Sequence, residues 1–259
     1  MNFGNQFPHK IIVGRCIYCG TTDEPLHKEH IVPYCLGGSW ILHKASCPKC
    51  EEVTREFERC VTTEQALVIR TIENLPTRRK ERRPKTLPLK ITKTGQEETI
   101  ECPIDMYPIS LTLEIYAPPA YRDKKPYKKG IDVRGMGTLS PSAKVIQRLR
   151  DKFQIDGCSN TIILQGLTQA RLLAKIALGF AVAVYGPRVI EHAYVRRAIL
   201  GQSEDIGKWV GCINRPPPAA NVLHEVRLSV ERDNNIHASV RLFARYGTTE
   251  YLVIVGPAP

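Results

Sequence analysis

The chain lacks an apolar run long enough to cross a bilayer. Ile176 to Tyr185 is its longest, and a helical span needs about 20 apolar residues. Its start, Met1-Asn2-Phe3-Gly4-Asn5-Gln6, also lacks the basic-then-apolar order of a secretory signal. A soluble, cytoplasmic protein with no membrane partner is the expectation. Internal repeats and low-complexity tracts are missing, which argues against solenoids and compositionally driven disorder. Acidic residues are scarce, 26 against 37 lysines and arginines, leaving a formal charge of +11. Such an excess favours polyanionic partners, because lysine and arginine release the counterions condensed on phosphates.

What is present is enough apolar residue, 42% of 259 positions, to build one large core or two ordinary ones. The nine cysteines are an odd number with no export signal before them, and four fall in CxxC pairs. Reduced thiolates holding a metal fit this better than disulfides. The pairs are Cys16-Ile17-Tyr18-Cys19 and Cys47-Pro48-Lys49-Cys50, with 27 residues between them. Two such knuckles converging on one ion give a closed tetrahedral site of four thiolates, which marks a structural zinc. In a small module the metal replaces much of the missing core.

The stretch from Cys16 to Cys60 is rich in cysteine and histidine, and the composition then changes. Three parts are expected: an N-terminal module over residues 1–75, a basic linker with a small β region over 76–130, and an α+β C-terminal domain of unknown role over 131–259. A helical pattern runs from Pro48 through Ile72, with Pro48 suited to its first turn. Strand-like runs follow at Leu87 to Thr94, Glu98 to Cys102 and Ile109 to Tyr116. Helices are expected at Ser142 to Lys152, Leu167 to Val184 and Pro187 to Leu200. Alternating runs at Val222 to Glu231, Ile236 to Tyr246 and Glu250 to Val255 predict an antiparallel meander. Thr77 to Lys85 holds six cations in nine residues, and Arg78, Arg79, Lys80, Arg82 and Arg83 are candidates for phosphate contact. Lys124 and Lys125, flanked by Tyr121 and Tyr127, form a second basic stretch with aromatics that suit sugar or base faces.

Between the knuckles lies His27-Lys28-Glu29-His30-Ile31-Val32-Pro33-Tyr34-Cys35-Leu36-Gly37-Gly38. Over about residues 12–60 the chain resembles the HNH endonuclease superfamily, whose signature reads (D/E)-H-I-x-P and then G-G, including the versions framed by two zinc knuckles. The resemblance implies a ββα-metal, treble-clef-like fold: a strand bearing Glu29 and His30, a loop through Gly37-Gly38, a second strand near Trp40 to Ala45, and a helix from Pro48. The whole chain would then be α+β, a zinc-stapled module followed by mixed helices and antiparallel sheet. The resemblance assigns His30 as general base and Glu29 and Glu51 as ligands of a catalytic Mg2+ or Mn2+, with Glu58, seven residues along the helix, as an alternate ligand. Two positions depart from the signature. Glu51 stands where His or Asn is usual, and the middle Asn is absent, with Leu42 and His43 in its neighbourhood. The roles are chemically coherent: an imidazole titrating near neutrality can take a proton from water, and a divalent ion on oxygen ligands neutralises phosphate oxygens.

His192, His224 and His237 read as packing or surface residues. The helix around Lys175 to Phe180 and the final sheet resemble C-terminal regions joined to bacterial HNH proteins, a resemblance that carries no mechanism; target recognition, a protein partner, self-association or sensing of a trigger all stay open for this region. Two functional classes stay open. One is a metal-dependent endonuclease that nicks or cuts DNA, in a bacterial defence or phage setting by family analogy, with RNA also open as substrate. The other is a zinc-stabilised nucleic-acid-binding protein that cuts nothing. Glu29, His30 and Glu51 separate them, because binding alone requires none of the three.

Overall fold

The computed structural model describes residues 10–78, 81, 83–109, 111–124, 126–127, 129–159, 164–213 and 218–259. The chain is a mixed α+β fold. Its first sheet pairs β1 (Ile11–Ile12), β2 (His27–His30) and β3 (Ile41–Ser46) in the order β1-β3-β2, with β2 antiparallel to β3. The knuckle Cys16–Cys19 lies between β1 and β2, and α1 (Pro48–Cys60) follows β3 directly. Cys47 is the N-cap of α1 and Pro48 occupies its first turn, where a missing amide proton costs nothing.

The helical pattern to Ile72 is present but interrupted. Val61–Gln65 is a π turn before α2 (Leu67–Ile72). The wider turn aims Gln65 inward, where its amide donates to Thr112 O, Glu114 Oε2 and Gln169 Oε1 at 3.0, 3.1 and 2.8 Å. A buried polar group is stable only with such partners, so the inserted residue is matched by a network that reaches the C-terminal half.

The hairpin of β4 (Thr86–Lys93) and β5 (Gln96–Pro103) buries Leu87, Leu89 and Ile91 on one face, as alternation predicts. Pro88 is tolerated in β4 because a later strand, β8, covers only Lys90 to Thr92. Next come β6 (Leu111–Tyr116), α3 (Ala120–Asp123), β7 (Val133–Leu139), α4 (Ala143–Phe153) and β8 (Gly157–Ser159). The short strands β7 and β8 have no periodic sequence signal; β7, Val-Arg-Gly-Met-Gly-Thr-Leu, has glycine where alternation would put a side chain.

The chain then enters α5 (Gly166–Tyr185), whose residues from Gln169 to Val182 are buried except Arg171. Although its longest uninterrupted apolar run is short, α5 as a whole is, against the expectation from sequence, long and apolar enough to cross a membrane; most of it is buried inside the protein, as in a core helix. The single helix expected from Pro187 to Leu200 is instead two short pieces, α6 (Val189–His192) and α7 (Arg196–Ile199). The break has a local cause: Ala193 is extended, and the Tyr194 amide leaves the helix to donate to Val255 O at 2.8 Å. After α8 (Ile206–Trp209), the strands β9 (Val210–Cys212), β10 (His224–Val230), β11 (Asn235–Leu242) and β12 (Tyr251–Pro257) form an antiparallel sheet in the order β10-β11-β12-β9. The run expected to continue as strand to Tyr246 ends at Leu242, where Phe243 turns left-handed into a 3-10 turn.

One hydrophobic cluster runs from Cys16, Ile17 and Ile31 through α5 to Val253 and Val255. A smaller one joins Leu87, Leu89, Ile91, Cys102 and Leu149 around β4, β5 and α4. The residues between the two knuckles therefore share a core with the end of the chain.

Candidate active site

The four sulfurs of Cys16, Cys19, Cys47 and Cys50 all lie within 4.8 Å of one another. Cys19 and Cys47 Sγ are 3.7 Å apart, and a tetrahedral zinc with bonds of about 2.3 Å requires sulfur separations of about 3.8 Å. The donor set fits a structural zinc. The first knuckle is tied by Gly20 N to Cys16 O and Cys16 N to Thr21 O, each at 2.9 Å. Cys16 is pushed down to about 4, chiefly by the hydrogen bond from Cys50, and the same contact pushes Cys50 up. Arg196 braces the knuckle from α7, donating to Tyr18 O at 2.7 Å and Ile190 O at 2.6 Å. Among the described residues no other group of three His, Cys, Asp or Glu side chains gathers closely enough to hold a metal.

The Glu29-His30 pair closes β2, beside a cleft of about 510 Å³. Its lining includes His30, Glu29, Glu51, Glu58, Lys28 and three arginines, Arg55, Arg59 and Arg78. The loop from β2 to β3 that forms one wall needs glycine at 38, where a Cβ would stand 1.9 Å from Val32 O. The same loop is held from behind by His224, whose Nε2 lies 2.7 Å from Leu36 O while Nδ1 accepts from the Phe243 amide at 3.1 Å. These partners set the neutral tautomer with the proton on Nε2. Burial lowers His224 to about 4. Trp40 stacks on Phe180 of α5 with ring centroids 5.2 Å apart, fixing the start of β3 to the core helix.

The carboxylates at the cleft are all engaged. Lys175 of α5, fully buried, places Nζ 2.8 Å from Glu29 Oε1 and 2.6 Å from Glu58 Oε1, and donates to His30 O at 2.5 Å. Burial alone would lower this ammonium, but Glu29 and Glu58 outweigh it and keep the group charged above its ordinary range. Glu29 is raised, first by burial, with Lys175 opposing. Tyr18, buried beside them, is pushed up by burial and then by the Glu29 and Glu58 charges, so it stays a neutral phenol. Glu51 faces elsewhere: Oε2 is 2.5 Å from His27 Nδ1 and Oε1 is 2.7 Å from Arg55. The His27 hydrogen bond holds the Glu51 carboxyl below its ordinary range.

This arrangement does not fit the divalent ion that the HNH resemblance implies. A Mg2+ sharing the Glu29 and Glu58 oxygens at about 2.1 Å would lie roughly 4 Å from the ammonium. The repulsion would be about 8 kcal/mol at an effective dielectric of 20. Glu51 does not converge with Glu29, because it is paired with His27 and Arg55.

His30 is partly exposed to the cleft, its ring 5.7 Å from that of Tyr34. It is lowered from its ordinary range by burial, then by the charges of Lys175 and Lys28. It is therefore a neutral imidazole at pH 7, able to accept a proton.

Of the cations singled out in the sequence, Arg78 lines this cleft. Arg83 instead turns onto the chain, bonded to Asn74 Oδ1 and, at 2.6 Å, to Leu75 O. Lys124 lines a different cavity, with Arg122, Arg227 and Arg232. Arg79, Lys80, Arg82 and Lys125 lie outside the described residues. Sequence reasoning missed Arg55, Arg59 and above all Lys175. The signal for Lys175 was there: a cation inside the apolar run of a helix, one turn after Arg171, must find anionic partners or remain unburied.

Residues 16–59 match the family model of the HNH endonucleases. No curated protein and no solved structure matches the chain. The matched segment is the zinc-knuckle frame, β2, β3 and α1, and it identifies an HNH endonuclease-type domain. An HNH domain points to nuclease-type chemistry on a nucleic-acid substrate, with the four-cysteine cluster supporting a structural zinc.

Proposed function

We propose that the chain is an endonuclease that hydrolyses DNA phosphodiester bonds in the cleft beside His30. The observation that carries this reading is the meeting, in one cleft, of a neutral imidazole on the matched Glu-His motif with Lys28, Arg55, Arg59 and Arg78. The guanidinium groups of Arg59 and Arg78 and the Lys28 ammonium hold the nonbridging phosphate oxygens, for which planar and point cations are both suited. Arg55, anchored to Glu51, sets one edge of that cationic surface. His30 takes a proton from a water molecule as its oxygen attacks phosphorus, and the bond to the sugar oxygen opposite breaks. The departing oxygen is protonated from solvent. Mg2+ or Mn2+, on Glu29, Glu51 and Glu58, is the cofactor the family resemblance implies. Those carboxylates are engaged by Lys175, His27 and Arg55, so the roles above rest on the protein's own side chains.

The test is supercoiled plasmid incubated with the zinc-loaded protein and with His30→Ala, each with and without Mg2+ or Mn2+. Nicked or linear product from the natural sequence alone is expected, with both proteins retarding the DNA equally in a binding gel. Retardation without any cutting would instead support the zinc-stabilised binder.

A further inference from the structure

The cation at Glu29 and Glu58 comes from the buried core helix α5. Lys175 sits midway along α5, among residues buried on every side from Leu172 to Val182. One turn further, Gly179 lies beside Ile31, the residue that follows β2, where a Cβ would make an ordinary contact of 3.5 Å with Ile31 Cγ1. The whole Lys175 side chain is enclosed by the core, so it has far less room to turn away than a surface lysine. Three oxygens surround Nζ, from Glu29, Glu58 and the His30 carbonyl. The two carboxylates flank the ammonium at ion-pair distance, and the His30 carbonyl accepts its hydrogen bond.

We propose that Lys175 permanently fills the divalent-ion position of this HNH centre, so that Glu29 and Glu58 take no Mg2+ or Mn2+ and the cleft works without one. This rests on the reading of the cleft as an HNH centre. Lys175 is a positioning residue: through the His30 carbonyl and Glu29 it fixes the end of β2, and with it the direction in which the imidazole faces the cleft. The positive surroundings of the phosphate come from Lys28, Arg55, Arg59 and Arg78.

The experiment reads Mn2+ binding to the full, zinc-loaded chain by electron paramagnetic resonance, independently of cleavage. The natural sequence is expected to show no stoichiometric Mn2+ site. Lys175→Met should gain one, and adding Glu58→Gln to that variant should remove it. A one-to-one Mn2+ site in the natural sequence that Glu58→Gln abolishes would overturn the proposal. So would a folded Lys175→Met chain that binds no Mn2+. If Lys175→Met does not fold, the natural sequence and its Glu58→Gln variant decide alone. Plasmid nicking is followed in parallel: the expected Mn2+ pattern without nicking under any condition would defeat the nuclease reading and leave the assignment of Lys175 standing.

Discussion

Two clusters of anionic side chains lie on either side of the same short helix, and they handle charge in opposite ways. At the N-terminus of α1, four sulfurs converge within 4.8 Å of one another, with Arg196 donating to the knuckle backbone at Tyr18 O. Further along, Glu58 of α1 and Glu29 of β2 meet instead on the ammonium of Lys175. Thiolates gathered this tightly require an external ion with strong, short bonds, and zinc supplies them. Two carboxylates are hard oxygen donors that an ammonium satisfies at ordinary hydrogen-bond distances. The first cluster therefore couples folding to metal supply, while the second is complete once the chain has folded.

The sharpest way to break that contrast is to deprive each cluster of its cation. Cys47→Ser, or removal of zinc with a chelator, is expected to abolish the cooperative thermal transition. Structural zinc contributes about 10 kcal/mol or more, comparable to the whole stability of a domain at about 5–15 kcal/mol. A zinc-free variant that keeps its melting temperature, checked by elemental analysis, would end the structural assignment. Lys175→Met should cost less, about 3–5 kcal/mol in a denaturant titration, because it leaves the buried Glu29 and the half-buried Glu58 carboxylates unpaired. The charge-free set Glu29→Gln, Glu58→Gln and Lys175→Met should recover most of that loss; if it is no more stable than Lys175→Met, the triad is not held by its charges.

The smallest effect concerns His224, which supports the wall of the cleft. Its folded-state value, lowered to about 4 by burial, lies below the unfolded value of about 6.5. The unfolded chain takes up the proton first, so stability from this residue falls as pH drops from about 6.5 to 4 and levels off below. The full change is about 3 kcal/mol. His224→Gln keeps a donor for Leu36 O and should flatten the pH dependence of the melting temperature in that window; an unchanged slope would assign it to other groups.

Much of the module was legible in sequence because its signals are local. Knuckle spacing brought the four cysteines together, and the Glu29-His30 pair fell on a strand beside a second strand and a helix that begins at Pro48. The meander at the end was readable from alternation, apart from the turn at Phe243. What stayed hidden depends on distant partners. Lys175 is 146 residues from Glu29, and no periodicity announces that pairing. The split of the expected helix after Pro187 follows from a hydrogen bond to Val255, and the ligand role implied for Glu51 meets two competitors, His27 and Arg55, that spacing alone does not rank.

The stack of Trp40 on Phe180, described above as fixing β3 to α5, has an evolutionary side. Together with Lys175 it makes the signature motif depend physically on the core helix. A recombination event that carried residues 16–59 into another protein would deliver all four cysteines but leave behind the Arg196 brace of the first knuckle. It would also strand two carboxylates without their counter-ion and leave the strand bearing His30 without its backing. Drift at position 175 and drift at positions 29 and 58 are thereby tied, so lineages should change them together or not at all.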